Sequence, residues 1–434
     1  MGRSHRLATL FALVCIAGAS GTAVAACGSA SSGASGGDGG GGDTSLEGAP
    51  GVDATGDVVD SSPGKDATTE GGDASADGGA ADATDSATDG IADGPPDLFP
   101  EGGGDCGVGA TGEPTELRCT GLYSDWTSKT VTTGVTQYDP GLHLWSDGAD
   151  KTRWIYLPPG QKIDTSDMDE WTFPVGTKIW KEFRLPLGDA GTETRIETRL
   201  LWKLAPSVWY RTTYRWSADG ETSTLEEVNG ELDAGGTGYE VPSQLECNGC
   251  HNGRLDGVLG FEAVALSTSG ATPITLQTLA AQNLVTTAPD AGIVIPGNAT
   301  ESEALAYMHT NCGVACHNPN GEASFTGFLM RLDVSTLATV QSTNAYTTGW
   351  NVTTNNYTIP NVIPSYRFHA CDLASSCAYY RPDHRDGVNG TPAGTQMPPI
   401  DSHVVDVTGI AAIAAWIQQG CDAGAGPTDA GDGG

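Results

Sequence analysis

Basic side chains are scarce in this 434-residue chain: 21 Lys and Arg stand against 54 Asp and Glu, a formal net charge of −33. Nucleic-acid binding depends on basic patches that neutralise phosphates, so no nucleic-acid partner is expected. Aromatic residues are only 7% of the chain and almost missing from its first hundred positions. Without them residues 28–105, nearly all Gly, Ala, Asp, Ser and Thr, cannot bury a core and read as disordered. That stretch holds 17 acidic residues and a single basic one, Lys65, so about half of the net charge belongs to it. The remaining charge suits simple solubility, or basic redox partners. Histidine and methionine are also few, eight and five, which limits the side chains that can hold a metal through soft or imidazole donors.

The cysteines and histidines that are present fall into a pattern. Cys247, Asn248, Gly249, Cys250 and His251 form the C-x-x-C-H spacing of covalent haem attachment. Two thiols add to the porphyrin vinyl groups, and the adjoining histidine lies under the iron as proximal ligand. A second version, Cys312 to His317, has one extra residue between Cys312 and Cys316. Two c-type haems are therefore expected, with Cys247, Cys250, Cys312 and Cys316 as attachment points and His251 and His317 as metal ligands. A zinc site at Cys247 would need a further ligand at matching spacing, and none stands nearby. A disulfide between Cys247 and Cys250 would leave the adjoining His251 unexplained.

At the N-terminus Arg3, His5 and Arg6 precede an apolar, acid-free run over 7–26, the layout of an export signal. Val24, Ala25 and Ala26 lead into Cys27, which resembles a bacterial lipobox; the resemblance implies cleavage before Cys27 and lipidation of its thiol. The alternative is ordinary cleavage after small residues. The expected organisation is a signal peptide at 1–26, an acidic tether at 27–105 with a reach of roughly 50 Å, folded chain over 106–421, and a tail at 422–434 of tether-like composition. The location is then exported and membrane-anchored by lipid, periplasmic or on the cell surface.

The folded stretch of 316 residues suggests two domains. Over 106–240 the pattern is β: 142–145, 152–157, 177–183, 195–204 and 207–216 are aromatic and β-branched runs punctuated by turn signals such as Pro158-Pro159-Gly160. An antiparallel sheet or sandwich is expected. Eight of the ten tryptophans lie here, at 126, 145, 154, 171, 180, 202, 209 and 216, as an aromatic core or, alternatively, a ligand platform. Asp164, Asp167, Asp169 and Glu170 lack the Asp-x-Asp-x-Asp-Gly calcium loop and read as a solvated loop.

Over 241–421 the expectation is a haem-binding region. An amphipathic segment at 302–311 precedes Cys312; much later come Met397, Pro398 and Pro399, then an apolar segment at 407–419 with Trp416. Helix, attachment motif, long loop, methionine and final helix together resemble a class I cytochrome c domain. The resemblance implies a mainly α-helical fold, hence an α+β chain, with Met397 closing the iron opposite His317. Met308 and Met330 read as packing residues. His309, His369, His384 and His403 read as surface residues, and any of them, or His143 or Met168, could supply the distal ligand of the first haem. More widely, Leu144-Trp145-Ser146-Asp147, 154–160, 173–183, the first motif, 311–321 and 397–407 resemble exported bacterial dihaem cytochromes with a β-rich leader, although Cys312 to Cys316 departs from them by one residue.

Of the other cysteines, Cys106 pairs naturally with Cys119 and Cys371 with Cys377 as small staples, leaving Cys421 free or displacing a partner. The function these features imply is an exported dihaem carrier passing single electrons between redox proteins. The alternative is a haem-dependent oxidoreductase, peroxidase- or dehydrogenase-like, whose β-rich domain holds a substrate.

Overall fold

The computed structural model describes residues 106–107, 113–187, 192–226, 229–289 and 292–421. The signal segment, the lipidation cysteine Cys27, the tether and the 422–434 tail lie outside the described residues. Among the described residues no helix is long and apolar enough to cross a membrane.

Alternating side chains in the aromatic-rich runs produce one large antiparallel sheet. A two-stranded ribbon, β1 (Tyr123–Asp125) and β2 (Thr130–Val131), precedes β3 (Val135–Pro140), β4 (Asp150–Tyr156), β5 (Lys178–Leu187), β6 (Thr192–Ala205), β7 (Val208–Trp216), β8 (Ser223–Leu225) and β9 (Ala271–Thr272). The seven strands β3 to β9 run in the order β8-β7-β6-β5-β4-β3-β9. The run at 142–145, expected as a strand, is a loop. It follows Gly141, whose φ of +76° ends β3.

Because successive residues point to opposite faces, the register sorts the core into two layers. Trp154, Trp180 and Leu200 pair in register and pack on one face with Leu117, Tyr123, Tyr214 and Trp216. Ile155, Ile179 and Leu201, one residue along, pack on the other face with Trp171, Phe173 and Phe261. Trp154, Trp171, Trp180, Trp202 and Trp216 are buried, so these tryptophans pack the sheet.

The C-terminal region is not the mainly helical cytochrome domain expected from the resemblance. Among the described residues there are six short helices: α1 (Gln244–His251), α2 (Leu276–Ala281), α3 (Ala299–Met308), α4 (Asn344–Gly349), α5 (Cys377–Tyr380) and α6 (Val407–Gln419). The long connection from α3 to α6 is mostly turns and irregular chain. Its Gly, Pro, Asn and Thr favour turns over helix, and the seven-stranded sheet is the largest regular element of the fold. α3 and α6 pack on each other through Ala304, Leu305, Met308, Ile413, Trp416 and Ile417.

The cysteine pairing is also revised. Cys106 bonds Cys119, but Cys371 bonds Cys421, not Cys377. The turn after α6 brings Cys421 back to the loop, where the Cys371 N–H donates to the Ile417 carbonyl at 2.9 Å. Cys377 is left as a buried free thiol.

The acidic stretch is a solvated loop only in part: Asp164 and Asp167 are exposed, whereas Asp169 and Glu170 are held by other segments. The Glu170 carboxylate accepts from Arg254 at 3.1 Å and also pairs with Arg331. Asp169 accepts the Val334 N–H at 2.8 Å. These bonds tie the 164–172 segment to the chain that follows each cysteine motif.

Candidate functional site

The first motif occupies a helix that its own sequence caps. Ser243 accepts the Glu246 N–H and Glu246 accepts the Ser243 N–H at 2.7 Å, a capping box that starts α1. Ser-x-x-Glu before Cys247 was the signal that sequence reasoning passed over. One turn spaces Cys247 and Cys250 along α1, and His251 ends it. The His251 Nδ1 lies 2.6 Å from the Gly257 carbonyl oxygen. With Nδ1–H as donor to that oxygen, Nε2 is the nitrogen left for a metal, the arrangement that second-shell carbonyls impose on ligating histidines. Gly257 sits at φ +65°, a left-handed backbone that glycine adopts without strain, and its Cα faces the Arg211 guanidinium.

The second motif begins where α3 ends, and its extra residue is absorbed by the backbone. After Met308 the chain widens into a π-turn over His309–Gly313. The Val314 N–H donates to the His309 carbonyl and the His317 N–H to the Cys312 carbonyl, both at 2.8 Å and both five residues back. A one-residue insertion into a helix is commonly accommodated in this way. In the regular motif the equivalent bonds span four residues, as from Asn252 to Asn248. His317 is then held as His251 is: its Nδ1 lies 2.9 Å from the Phe328 carbonyl oxygen, and Phe328 meets the ring edge-on with centroids 5.5 Å apart.

Each motif opens onto its own cavity. Cys247, Cys250 and His251 line one of about 1530 Å³, open mouth included, bounded by the second face of the sheet. Cys312, Cys316, His317 and Met397 line another of about 920 Å³, open mouth again included. Met308, Met330 and the free thiol of Cys377 are in the walls of the second cavity. The two cavities share Asn311, Cys316, Pro398 and Pro399. The contact between the motifs is direct, since a Cβ on Gly253 would fall 1.8 Å from the Ala315 carbonyl oxygen.

Burial raises all four thiols, Cys250 and Cys312 to about 12 and Cys316 to about 11. The same loss of water keeps both imidazoles neutral, His251 down at about 3. Among the described residues the four thiols do not gather into a metal-binding group; the single such gathering is Glu240, Glu246 and Asp401. Those three carboxylates line the first cavity, and burial pushes Asp401 up to about 6.

No family model, no curated protein and no solved structure matches this chain. The reading of the site therefore rests on its own geometry.

The remaining described histidines line neither cavity. His309, expected at the surface, is 1% exposed; its Nε2 lies 3.2 Å from Glu262 and its Nδ1 accepts the Leu332 N–H. Both nitrogens are thus engaged in holding the π-turn. His403 is bonded to Glu240, His384 to the Tyr380 carbonyl, His369 to Ser375 and His143 to Asp139. Met168 packs on the core beneath the sheet. Among the described residues no second histidine and no methionine lines the first cavity.

Proposed function

We propose that this protein is an exported electron carrier with two c-type haems, one in each cavity, tethered by a lipid on Cys27. The observation that carries the reading is the repeated clamp. In two separate cavities a pair of thiols stands beside a histidine whose Nδ1 is committed to a backbone carbonyl, leaving Nε2 for iron. A zinc reading is disfavoured because the thiols do not converge. A disulfide reading is disfavoured because Cys247, Cys250, Cys312 and Cys316 are all free.

Bound haem supplies one-electron redox chemistry at iron. The chain supplies four thiols for attachment, His251 and His317 for the proximal positions and Met397 for the second iron. It also supplies the shared wall of Asn311, Cys316, Pro398 and Pro399, which makes the two cavities neighbours and suits a short relay. Redox proteins are the partners this implies. Pyridine haemochrome analysis of the full-length protein isolated from an export-competent host should return two haems per chain. One haem, or no Soret band, would refute the dihaem reading.

A second reading is favoured by a specific observation. Without a second histidine or methionine, the first cavity suits an oxidoreductase whose iron takes an exogenous ligand beside acid–base groups, for which Asp401 and Glu240 are placed. Binding of CO to one of the two ferrous haems would favour it; a carrier with both irons six-coordinate gives no CO spectrum.

A further inference from the structure

Three cations stand side by side across the middle of the sheet. Arg153 on β4 pairs with Lys181 on β5, and Lys181 with Arg199 on β6, all in direct register. Residues paired in this way share a face and have Cβ atoms about 5 Å apart, and like charges so placed repel. The row therefore needs anions to be stable.

The chain neutralises only one end of it. Arg199 makes two hydrogen bonds to Glu197, at 2.9 and 2.6 Å, and Glu197 also accepts the Tyr239 hydroxyl. Arg153 is 6% exposed and makes no hydrogen bond or ion pair among the described residues; the carboxylate beside it, Asp139, is bonded to His143. The Lys181 ammonium lies 4.9 Å from the ring of Phe183 and makes no side-chain hydrogen bond or ion pair among the described residues; the carboxylate that acts on it, Glu197, already holds Arg199 and Tyr239. Burial, with Arg153, Lys151 and Arg199 around it, pushes Lys181 well below the usual lysine range. Glu240, Glu246 and Asp401 share the cavity but hydrogen-bond to none of the three. A buried and a half-buried cation, neither with a hydrogen-bonded counter-ion, are costly.

All three residues line the cavity that holds Cys247, Cys250 and His251. A c-type haem carries two carboxylates on the ring edge away from its thioether-forming vinyls. On the reading that a haem occupies this cavity, we infer that Arg153, Lys181 and Arg199 form the anchor for its two propionates, so that the β-sheet is part of the first haem site. Ion pairs to guanidinium and ammonium groups in a buried cleft are strong and directional. They also tune the iron: a nearby positive charge disfavours the ferric state and raises the potential.

The test is a spectroelectrochemical titration of the full-length holoprotein and of its Arg153→Met, Lys181→Met and Lys181→Arg variants. Each methionine variant should lower the potential of one haem and leave the other in place, and Lys181→Arg should restore it. Two haems per chain with neither potential moved would refute this inference alone, whereas fewer than two haems in the wild-type protein would refute the dihaem reading beneath it. Should a variant fail to fold, resonance Raman of the wild-type protein decides. The propionate bending band of one haem at its hydrogen-bonded position supports the anchor, and both bands at the unbonded position overturn it. Cyanide binding to the ferric protein that weakens tenfold or more in Lys181→Met would also overturn it, because the row would then serve an exogenous anion.

Discussion

Replacing Asp256 by alanine should destabilise the fold and loosen the first histidine together. Asp256 is 5% exposed, and its carboxylate accepts the Lys203 ammonium at 2.7 Å on both oxygens, Trp209 Nε1 at 3.0 Å and the Phe173 N–H at 2.6 Å. It thereby fastens the turn after α1 to β6 and to the segment before β5. Lys203 is 1% exposed, so removing the carboxylate leaves a buried ammonium with no counter-ion. Breaking one side of such a pair costs about 3–5 kcal/mol. For a chain of this size the melting temperature should fall by roughly 6–10 °C, taking about 2 °C per kcal/mol at the large end of the size scale. Asp256 also precedes Gly257, whose carbonyl holds His251; on the dihaem proposal, the Soret and α bands of the haem assigned to that cavity should broaden or shift before global unfolding. Thermal melts followed by far-ultraviolet circular dichroism and by the Soret band give both numbers. The double variant Lys203→Met with Asp256→Leu should recover most of the loss, because it removes the stranded charge. A single variant within about 1 kcal/mol of wild type, or a double variant no more stable than the single one, would refute the reasoning.

Three other outcomes follow from the structure. On the dihaem proposal, Met397→Ala should leave both covalent haems in place but free one iron position, so that the ferrous variant binds one more CO per chain than wild type by difference spectroscopy. Opening the Cys371–Cys421 disulfide, which closes a separation of 50 residues, with Cys371→Ser and Cys421→Ser should cost about 4 kcal/mol by chain entropy, readable as a lower denaturation midpoint. Finally, burial pushes the Glu262 carboxyl up, but the hydrogen bond with His309, the nearby Arg254 and the Ala265 N–H overcome it and hold the group at about 2 against an ordinary value of 4.5. A depressed carboxylate stabilises the fold above its unfolded value, and the contribution is lost as pH falls from 4.5 through about 2. Glu262→Gln should therefore flatten the stability–pH curve in that window, measured by urea unfolding at a series of pH values.

Local features of this molecule were legible in its residues, because they depend on covalent spacing. The strands β4, β5, β6 and β7 lie where alternation and aromatic content placed them, and α3 and α6 lie where apolar periodicity placed them. The failures share a cause. The class I cytochrome c likeness was built from the order of a few segments, and order says nothing about how much helix fills the connection between them. His309 looked like a surface residue because its neighbours in sequence are polar, while its neighbours in space are Glu262 and Leu332. Cys421 could not be paired from spacing, since the choice between Cys371 and Cys377 depends on where the turn after α6 returns.

The two cysteine-histidine motifs that opened the functional question are properties of the sequence by itself: six side chains whose separation along the backbone sets what they can bind. The extra residue between Cys312 and Cys316 is visible there as well. Only the folded chain decides that a π-turn absorbs that residue, that Gly253 rests on Ala315 and so makes the two cavities neighbours, and that Arg153, Lys181 and Arg199 meet across three strands. The last two are contacts between segments distant in sequence, and sheet register, which brings Arg153 and Arg199 to the same row, is set by packing of both faces at once.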